Sequence, residues 1–203
     1  MATPANINAP SGLTAVKHSA GGTPVRVNNS QVYAIASGLA SNIYRGSLVK
    51  PTGTGGNIDV VAAGANASIG VFHGVSYVDT NGDTQFRPRW LSGQTVQTGS
   101  TPEAWVFDDP ELLFDAQVSG AAGLVAADIG KTANILIGTG SGLTGQSADM
   151  VDQSTLSNSS TTQQLQVQSL RTLTNNNYGQ YARALVTIFL HYKGVVAGAG
   201  VVY

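Results

Sequence analysis

Short runs in which apolar and polar side chains alternate are the dominant pattern along this chain. The clearest pair lies within residues 69–90, where two runs rich in β-branched and aromatic side chains flank Asn81 and Gly82. An Asn-Gly pair tolerates the positive φ angles that a tight turn between twisted strands requires, so this stretch predicts a β-hairpin. Neither face of the first run is fully polar, and we therefore expect the hairpin to lie inside a sheet with cover on both faces.

Other runs of the same kind predict the remaining strands. They occupy residues 25–27, 32–35, 45–49, 58–61, 104–107, 112–118, 134–137 and 165–170. The longest candidate spans residues 181–192. Its apolar centre favours the middle of a sheet, and Val186, Ile188 and Phe189 are expected to be buried there.

Helical periodicity is weak throughout. Only single helical turns are expected, at residues 37–44 and 126–130. Many short strands separated by Gly, Asn and Pro are typical of all-β proteins. The sequence therefore predicts an all-β fold, a compact sandwich or barrel of short strands with an extended N-terminal arm.

The arm is assigned to residues 1–23, where Pro and Gly interrupt any regular element and apolar residues are sparse. It is either a frayed terminus or a segment that becomes ordered only against a neighbouring subunit. Residues 24–203 are expected to form a single β domain that ends in a tail from about residue 194. That tail is apolar and contains two Val-Val pairs.

The charge content changes what the surface is expected to do. Only 10% of the 203 residues are charged, against ~25% in ordinary domains, and the net charge is −1. A weakly charged surface has little repulsion to keep copies apart, so we expect much of it to be covered by copies of the same chain or by a partner. The small net charge argues against binding to nucleic acid or to a membrane surface.

The absence of cysteine excludes disulfides, thiolate catalysis and cysteine-bound metals. No apolar run approaches the ~20 residues that span a bilayer. The first residues lack the basic region and apolar core of a signal peptide. The absence of cysteine is compatible with assembly in the cytosol.

Two glycine-containing motifs match binding sites in part. Residues 140–145 fit the dinucleotide pattern GxGxxG, but no sustained helix comes after them to receive a pyrophosphate. Residues 79–83 resemble the start of a calcium loop, but Thr84 and Trp90 stand where Gly and a bidentate Glu are needed. We interpret the first as a flexible loop and the second as a hairpin turn.

The densest group of acidic residues has two interpretations, a hydrolase or cation site and a simple Asp-Asp-Pro turn. Its members are Asp108, Asp109, Glu111 and Asp115. The turn is preferred because Asp accepts local backbone hydrogen bonds and Pro presets φ. The three histidines lie in separate elements without metal-ligand spacing; they are His18, His73 and His191. No catalytic, cofactor-binding or metal-binding residue is therefore predicted, and the chain is not expected to be an enzyme or to carry a cofactor.

Several segments together resemble a known family. They are the hairpin at 69–90 with its continuation to Thr95, the run 104–117 with its Asp-Asp-Pro turn, the run 127–130, Leu170, and the closing strand 182–192. In combination they resemble the capsid decoration, or cement, proteins of short-tailed bacteriophages. The likeness spans about residues 45–193, and this chain adds a tail where the family ends near its last long strand.

The resemblance implies a virion structural protein that binds the outer surface of the phage capsid and stabilises it, without catalysis. The implied partners are the major capsid protein and further copies of the chain, as a dimer or trimer on a capsid assembled in the host cytoplasm. The apolar residues of the arm and the tail are the candidate interface, namely Ile7, Leu13, Val16, Val201, Val202 and Tyr203.

An alternative function is a receptor- or glycan-binding β module of a phage tail or fibre. Aromatic side chains on exposed loops would support it, because sugar rings pack on aromatic faces. The candidates are Tyr33, Tyr44, Trp90 and Trp105.

Overall fold

The computed structural model describes residues 6–22 and 33–193, and in these ranges the chain is all-β, with two short 3-10 helices at Ala126–Asp128 and Gln153–Thr155 and no α-helix. The strands are β1 Thr14–His18, β2 Tyr33–Ala34, β3 Ile43–Tyr44, β4 Leu48–Pro51, β5 Ile58–Val60, β6 Gly70–Val78, β7 Thr84–Arg87, β8 Arg89–Trp90, β9 Glu103–Phe107, β10 Leu112–Gln117, β11 Thr132–Ala133, β12 Ile135–Leu136, β13 Met150–Val151, β14 Leu165–Leu170 and β15 Arg183–Ile188. Several antiparallel sheets pack together, consistent with the predicted β-sandwich.

The first sheet has the order β1-β10-β15-β14-β11, and every pairing is antiparallel. Its centre is β15, which confirms the mid-sheet position predicted for the last long strand. Val186 and Ile188 are buried as expected. Phe189 is only half-buried, so that part of the prediction was wrong. Successive strand residues point to opposite faces, and Phe189 comes directly after the strand on the face opposite to Val186 and Ile188.

The second sheet has the order β2-β9-β6-β4-β5, and β7 pairs with β6 beyond the end of β4. The β6–β7 hairpin confirms the strongest local prediction. Its turn spans residues 79–83, and Gly82 takes a φ of 93°. The Asp79 carboxylate closes the turn, because its Oδ1 accepts hydrogen bonds from the backbone N–H groups of Asn81 and Asp83, at 2.9 and 3.0 Å.

Two clusters of buried apolar side chains form the core. The first joins β10, β14 and β15 of the first sheet to Leu48 and Val71 of the second, and Phe114 at its centre is fully buried. The second lies under β4, β6 and β9, where the Trp90 indole is fully buried and meets Tyr77 edge-to-face. The small pairs β3–β8 and β12–β13 complete the described structure.

The N-terminal segment belongs to the β domain. Thr14–His18 form β1, an edge strand whose residue Thr14 pairs with Asp115 of β10. Leu13 is 2% exposed and lies in the first core cluster. The folded domain therefore starts well before residue 24, where the sequence pattern placed its boundary. The pairing partner of β1 lies about a hundred residues away along the chain, beyond the reach of local patterns.

Residues 6–13 form no regular element and are held by hydrogen bonds to their own chain. The backbone N–H of Ala9 donates to Gln117 Oε1 at 2.8 Å, and the Asn6 amide donates to the carbonyl oxygen of Asn177 at 2.8 Å. The interpretation that this segment is ordered only by a neighbouring subunit is therefore not needed for residues 6–22.

Of the two helical turns predicted from the sequence, one is present and the other is not. The single turn at 126–130 is present as the 3-10 helix Ala126–Asp128. The turn expected across 37–44 is not helical and leads directly into β3. The strand expected at 25–27 and the C-terminal tail lie outside the described residues.

Candidate interaction surface

An exposed aromatic pair lies on the outer face of the second sheet. Phe86 of β7 and Trp105 of β9 flank the central strand β6, and their rings stack with centroids 5.9 Å apart and an interplanar angle of 20°. They can meet because Gly74 lies between them on β6; a Cβ atom there would come within 3.3 Å of the Trp105 ring. We call the surface formed by Gly74, Phe86 and Trp105 the aromatic face.

Phe86 is the most exposed aromatic side chain of this surface, at 65%. It pairs across the strands with Ser76, and Ser76 in turn pairs with Glu103. These neighbours place Phe86 on the polar, outward side of the sheet, where a large apolar ring gains nothing from its own core. An exposed aromatic side chain held on a regular strand is the kind of anchor that protein interfaces use.

A cleft of about 280 Å³ lies between β1 and the second sheet. His73 and Phe107 meet edge-to-face in its wall, with centroids 5.2 Å apart, and Ala15 of β1 lies in the opposite wall. The Arg45 guanidinium is at one side and donates from Nε to the His73 carbonyl oxygen at 3.1 Å. Because β1 is an edge strand, the cleft adjoins a strand side that pairs with no other strand among the described residues of the first sheet.

The candidate interface residues of the arm fall into different environments. Ile7 is 74% exposed, so it is accessible to a neighbour. Val16 is half-buried at a bulge in β1. The prediction that Leu13 belongs to the interface was wrong, because its side chain lies in the core of its own chain and is not available to another subunit. The candidate residues of the tail lie outside the described residues; they are Val201, Val202 and Tyr203.

The aromatic residues named for a glycan site also lie in different environments. Trp90 is fully buried, and the Tyr33 hydroxyl donates to Asp108 Oδ2 at 2.7 Å. Tyr44 is half-buried beside Gly140. Only Trp105 belongs to an exposed aromatic surface, and its partner Phe86 was missed. The alternation of side chains along β7 could have revealed that Phe86 is exposed. Gln85 pairs with Tyr77 on the inner face, so the next residue, Phe86, must point outward.

The acidic turn has a structural role in the fold. Asp108 accepts hydrogen bonds from the Tyr33 hydroxyl and from Lys193 Nζ. Asp109 lies 3.4 Å from His18 Nε2. Glu111 accepts a 2.6 Å hydrogen bond from the hydroxyl of Ser19 in the N-terminal segment; its own backbone N–H donates to Asp109. These contacts join β1, β2 and the end of the described chain to the β9–β10 connection.

Asp115 lies within β10 and not in the acidic turn, and it contacts two arginines. Its two carboxylate oxygens accept from Arg183 Nε at 3.0 and 3.1 Å, and Arg171 Nε is 3.9 Å away. Each of these four acidic residues therefore contacts a hydroxyl group, a histidine, a lysine or an arginine of its own fold.

His191 is buried, at 3% exposure, and its Nδ1 accepts the backbone N–H of Lys193 at 2.9 Å. Burial lowers the pKa of His191 to about 4, and the nearby Asp108 carboxylate opposes this shift. His18 and His73 lie in other elements. Within residues 6–22 and 33–193, no group of three or more metal-ligating side chains lies close enough together to hold a metal ion.

The two glycine-containing motifs form loops. Gly140 packs against the Tyr44 ring and Gly145 against Pro88, and the next element along the chain is the short strand β13. The side chain of Asp79 is occupied by hydrogen bonds of its own hairpin turn, including one from Gln85 Nε2 at 3.0 Å. Neither motif has the surroundings that its ligand requires.

In the described ranges, no helix is long and apolar enough to cross a membrane. Comparisons with models of known families, with curated proteins and with solved structures find no match for this chain. The fold itself defines the class, an all-β architecture of packed antiparallel sheets with an exposed aromatic face.

Proposed function

We propose that this chain is a virion structural protein that binds the outer surface of a phage capsid and stabilises it, as a decoration or cement protein, and that it acts without catalysis. The observation that carries the proposal is the aromatic face, an apolar surface on rigid strands in a chain with only 10% charged residues. The resemblance of the hairpin, the Asp-Asp-Pro turn and the last strand to decoration proteins supports the same function.

The aromatic face suits a permanent contact. Its rings are held by neighbouring strands of one sheet, so little conformational entropy is lost when a partner covers them. Tyr, Trp and Phe are enriched at the centres of interfaces, where a few anchors supply most of the binding energy. We therefore assign Phe86 and Trp105 to the contact with the major capsid protein.

Repetition of the partner adds to this affinity. A shell presents many identical binding positions, and an oligomer that engages two or three of them at once raises the effective concentration of each later contact. We propose that the chain is a dimer or trimer on the capsid and that Ile7, which is 74% exposed, contributes to the contact between copies.

Cosedimentation of the purified protein with heads that lack it tests the proposal. The Phe86→Ser variant should bind at least tenfold more weakly, which corresponds to a loss of about 1.4 kcal/mol or more. Leu143→Ser is the matched control, since Leu143 is also apolar and exposed, at 89%, but lies on a separate loop. Equal binding of wild type and Phe86→Ser would contradict the assigned contact, and no binding of wild type would contradict the function.

A glycan-binding module of a tail or fibre is the second candidate, and the exposed ring of Phe86 favours it in one respect. Sugar rings pack on such surfaces, and Trp105 would support the same ligand. A panel of bacterial surface oligosaccharides separates the two functions. Saturable binding of a sugar that Phe86→Ser abolishes, together with no binding to heads, would favour the glycan-binding module.

A further inference from the structure

The cleft of about 280 Å³ between β1 and the second sheet lies apart from the aromatic face and has no role in the proposed function. Residues 13–15 line one wall, and residues 71–73 with Phe107 line the other. Arg45 and Gln146 also line it. We call this space the Arg45 cleft.

Backbone hydrogen bonds hold the walls of the Arg45 cleft in place. The N–H of Leu13 donates to the carbonyl oxygen of Gly46, and the N–H of Gly46 donates to that of Phe72, both at 2.9 Å. Each bordering strand also has a bulge, at Val16 in β1 and at His73 in β6. Because a bulge redirects side chains and is common beside binding sites, both walls depart from regular strands at the cleft.

Arg45 supplies a positive charge whose position is fixed. Its backbone N–H donates to the carbonyl oxygens of Pro88 and Gly145, both at 2.9 Å. Its side chain is exposed at the cleft, and Nε donates to the His73 carbonyl oxygen at 3.1 Å. Nη1 and Nη2 form no hydrogen bond or ion pair with any residue of the described ranges. The outer edge of the guanidinium is therefore open to a ligand.

No acidic group competes for this guanidinium. None of the described residues that line the cleft is Asp or Glu. Asp108 comes directly after Phe107, but its carboxylate does not line the cleft and accepts from the Tyr33 hydroxyl and from Lys193 Nζ. The cleft therefore combines one guanidinium with mainly apolar walls.

We infer that the Arg45 cleft binds a small organic carboxylate with an apolar body, with Arg45 Nη1 and Nη2 each donating to one carboxylate oxygen. The planar fork of a guanidinium matches a carboxylate in this bidentate way. Ala15 and Phe107 are both half-buried in the opposite walls, where they can contact the apolar body. The volume is just below the ~300–1,000 Å³ of pockets for drug-sized ligands, so a ligand of one ring and one carboxylate fits best.

This inference is separate from the proposed function. The Arg45 cleft and the aromatic face share no residue. Loss of capsid binding and loss of carboxylate binding can therefore be observed independently.

Titration of the ¹⁵N-labelled protein with sodium benzoate, at neutral pH and constant ionic strength, tests the inference by NMR. The amide resonances of Ala15 and Phe107, on opposite walls, should move saturably and give the same dissociation constant. Benzamide has the same shape and no charge, and it should bind about fivefold more weakly or worse to the same wild-type protein. Equal affinity of the two probes, or no saturable shift with benzoate, would overturn the inference.

The Arg45→Gln variant removes the charge and keeps an amide donor, while the backbone hydrogen bonds of residue 45 are retained. It should keep a folded spectrum and lose about fivefold or more in affinity for benzoate. Arg87→Gln is the matched control, because Arg87 is also an exposed arginine but lies on β7, outside the cleft, where Nη2 donates to Gln85. It should bind benzoate as the wild type does.

Equal losses in the two variants would show a general attraction to positive charge and would overturn the inference. The wild-type comparison of benzoate with benzamide stands even where Arg45→Gln does not fold. Nα-acetyl-glutamate N-methylamide is the last probe, and it should bind more weakly than benzoate. Tighter binding of this probe at the same two amides would identify an acidic side chain of a partner protein as the occupant and would overturn the small-ligand assignment.

Discussion

At the scale of single residues, the two phenylalanines of the first sheet differ in what they contribute. Phe114 is fully buried between the sheets, whereas Phe189 comes directly after β15 and is half-buried. Phe114→Ala should therefore lower the free energy of unfolding by about 3–5 kcal/mol, through lost transfer energy and the cavity that remains. Urea denaturation measures this, and Phe189→Ala is the matched comparison with a smaller loss. A loss for Phe189→Ala as large as that for Phe114→Ala would contradict the packing described.

His191 should make stability depend on pH. In the folded protein the pKa of His191 is about 4, below the ordinary 6.5. As the pH falls, His191 therefore binds a proton in the unfolded chain before it does so in the folded protein. The stability that neutral His191 contributes is complete above about pH 6.5 and is lost as the pH falls towards 4, by roughly 3 kcal/mol at most.

The His191→Asn variant checks this contribution, because Asn keeps an acceptor for the backbone N–H of Lys193. Unfolding free energies measured from pH 7 to pH 4 should fall less steeply in the variant than in the wild type. Parallel curves would show that other groups cause the acid sensitivity, with the nearby Asp108 and Asp109 as the first to examine.

The environment of a residue was easiest to predict where its cause is local. The turn at 79–83 depends on Asp79, Asn81 and Gly82, whose side chains and backbone act within the turn itself. Trp90 was a candidate for the exposed aromatic residues of the alternative glycan-binding function, yet its indole is buried against Tyr77, which lies on another strand. Sequence patterns do not contain such partners, because they are supplied by the pairing of distant segments.

At the scale of elements, strand positions were more predictable than strand order. The apolar centre of β15 indicated a mid-sheet strand, because both of its faces must be covered. The order β1-β10-β15-β14-β11 depends on contacts between segments far apart in sequence, and no local turn sets it. The N-terminal segment shows the same limit: its low apolar content suggested an arm, while β10 provides the partner that makes Thr14–His18 a strand.

The docking of this segment gives a prediction for a matched pair of apolar residues. Leu13→Ala should lower the free energy of unfolding by about 2–5 kcal/mol, because Leu13 is buried in the core. Ile7→Ala should change it by less than about 0.5 kcal/mol at concentrations low enough to keep the protein monomeric, because Ile7 is exposed on the single chain. Thermal or urea denaturation of both variants checks this. An unchanged free energy of unfolding in Leu13→Ala would show that residues 6–22 detach from the domain in solution.

At the scale of the whole molecule, low charge and exposed apolar groups predict association. The purified protein should sediment as a dimer or trimer, since little electrostatic repulsion opposes contact between copies. Sedimentation velocity over a range of concentrations measures this, with Ile7→Ser as the variant expected to shift the equilibrium towards monomer. A wild-type protein that remains monomeric at every concentration would contradict the proposed oligomer.

If this chain coats the outside of a capsid through a preformed aromatic face, its copy number in the virion must be high and fixed. Particles produced from the genome that encodes the chain can be purified and their proteins quantified by mass spectrometry. We expect a copy number comparable to that of the major capsid protein, as a repeated lattice requires. A few copies per particle would place the chain in a tail or fibre, and its absence from the particles would contradict a structural role in the virion.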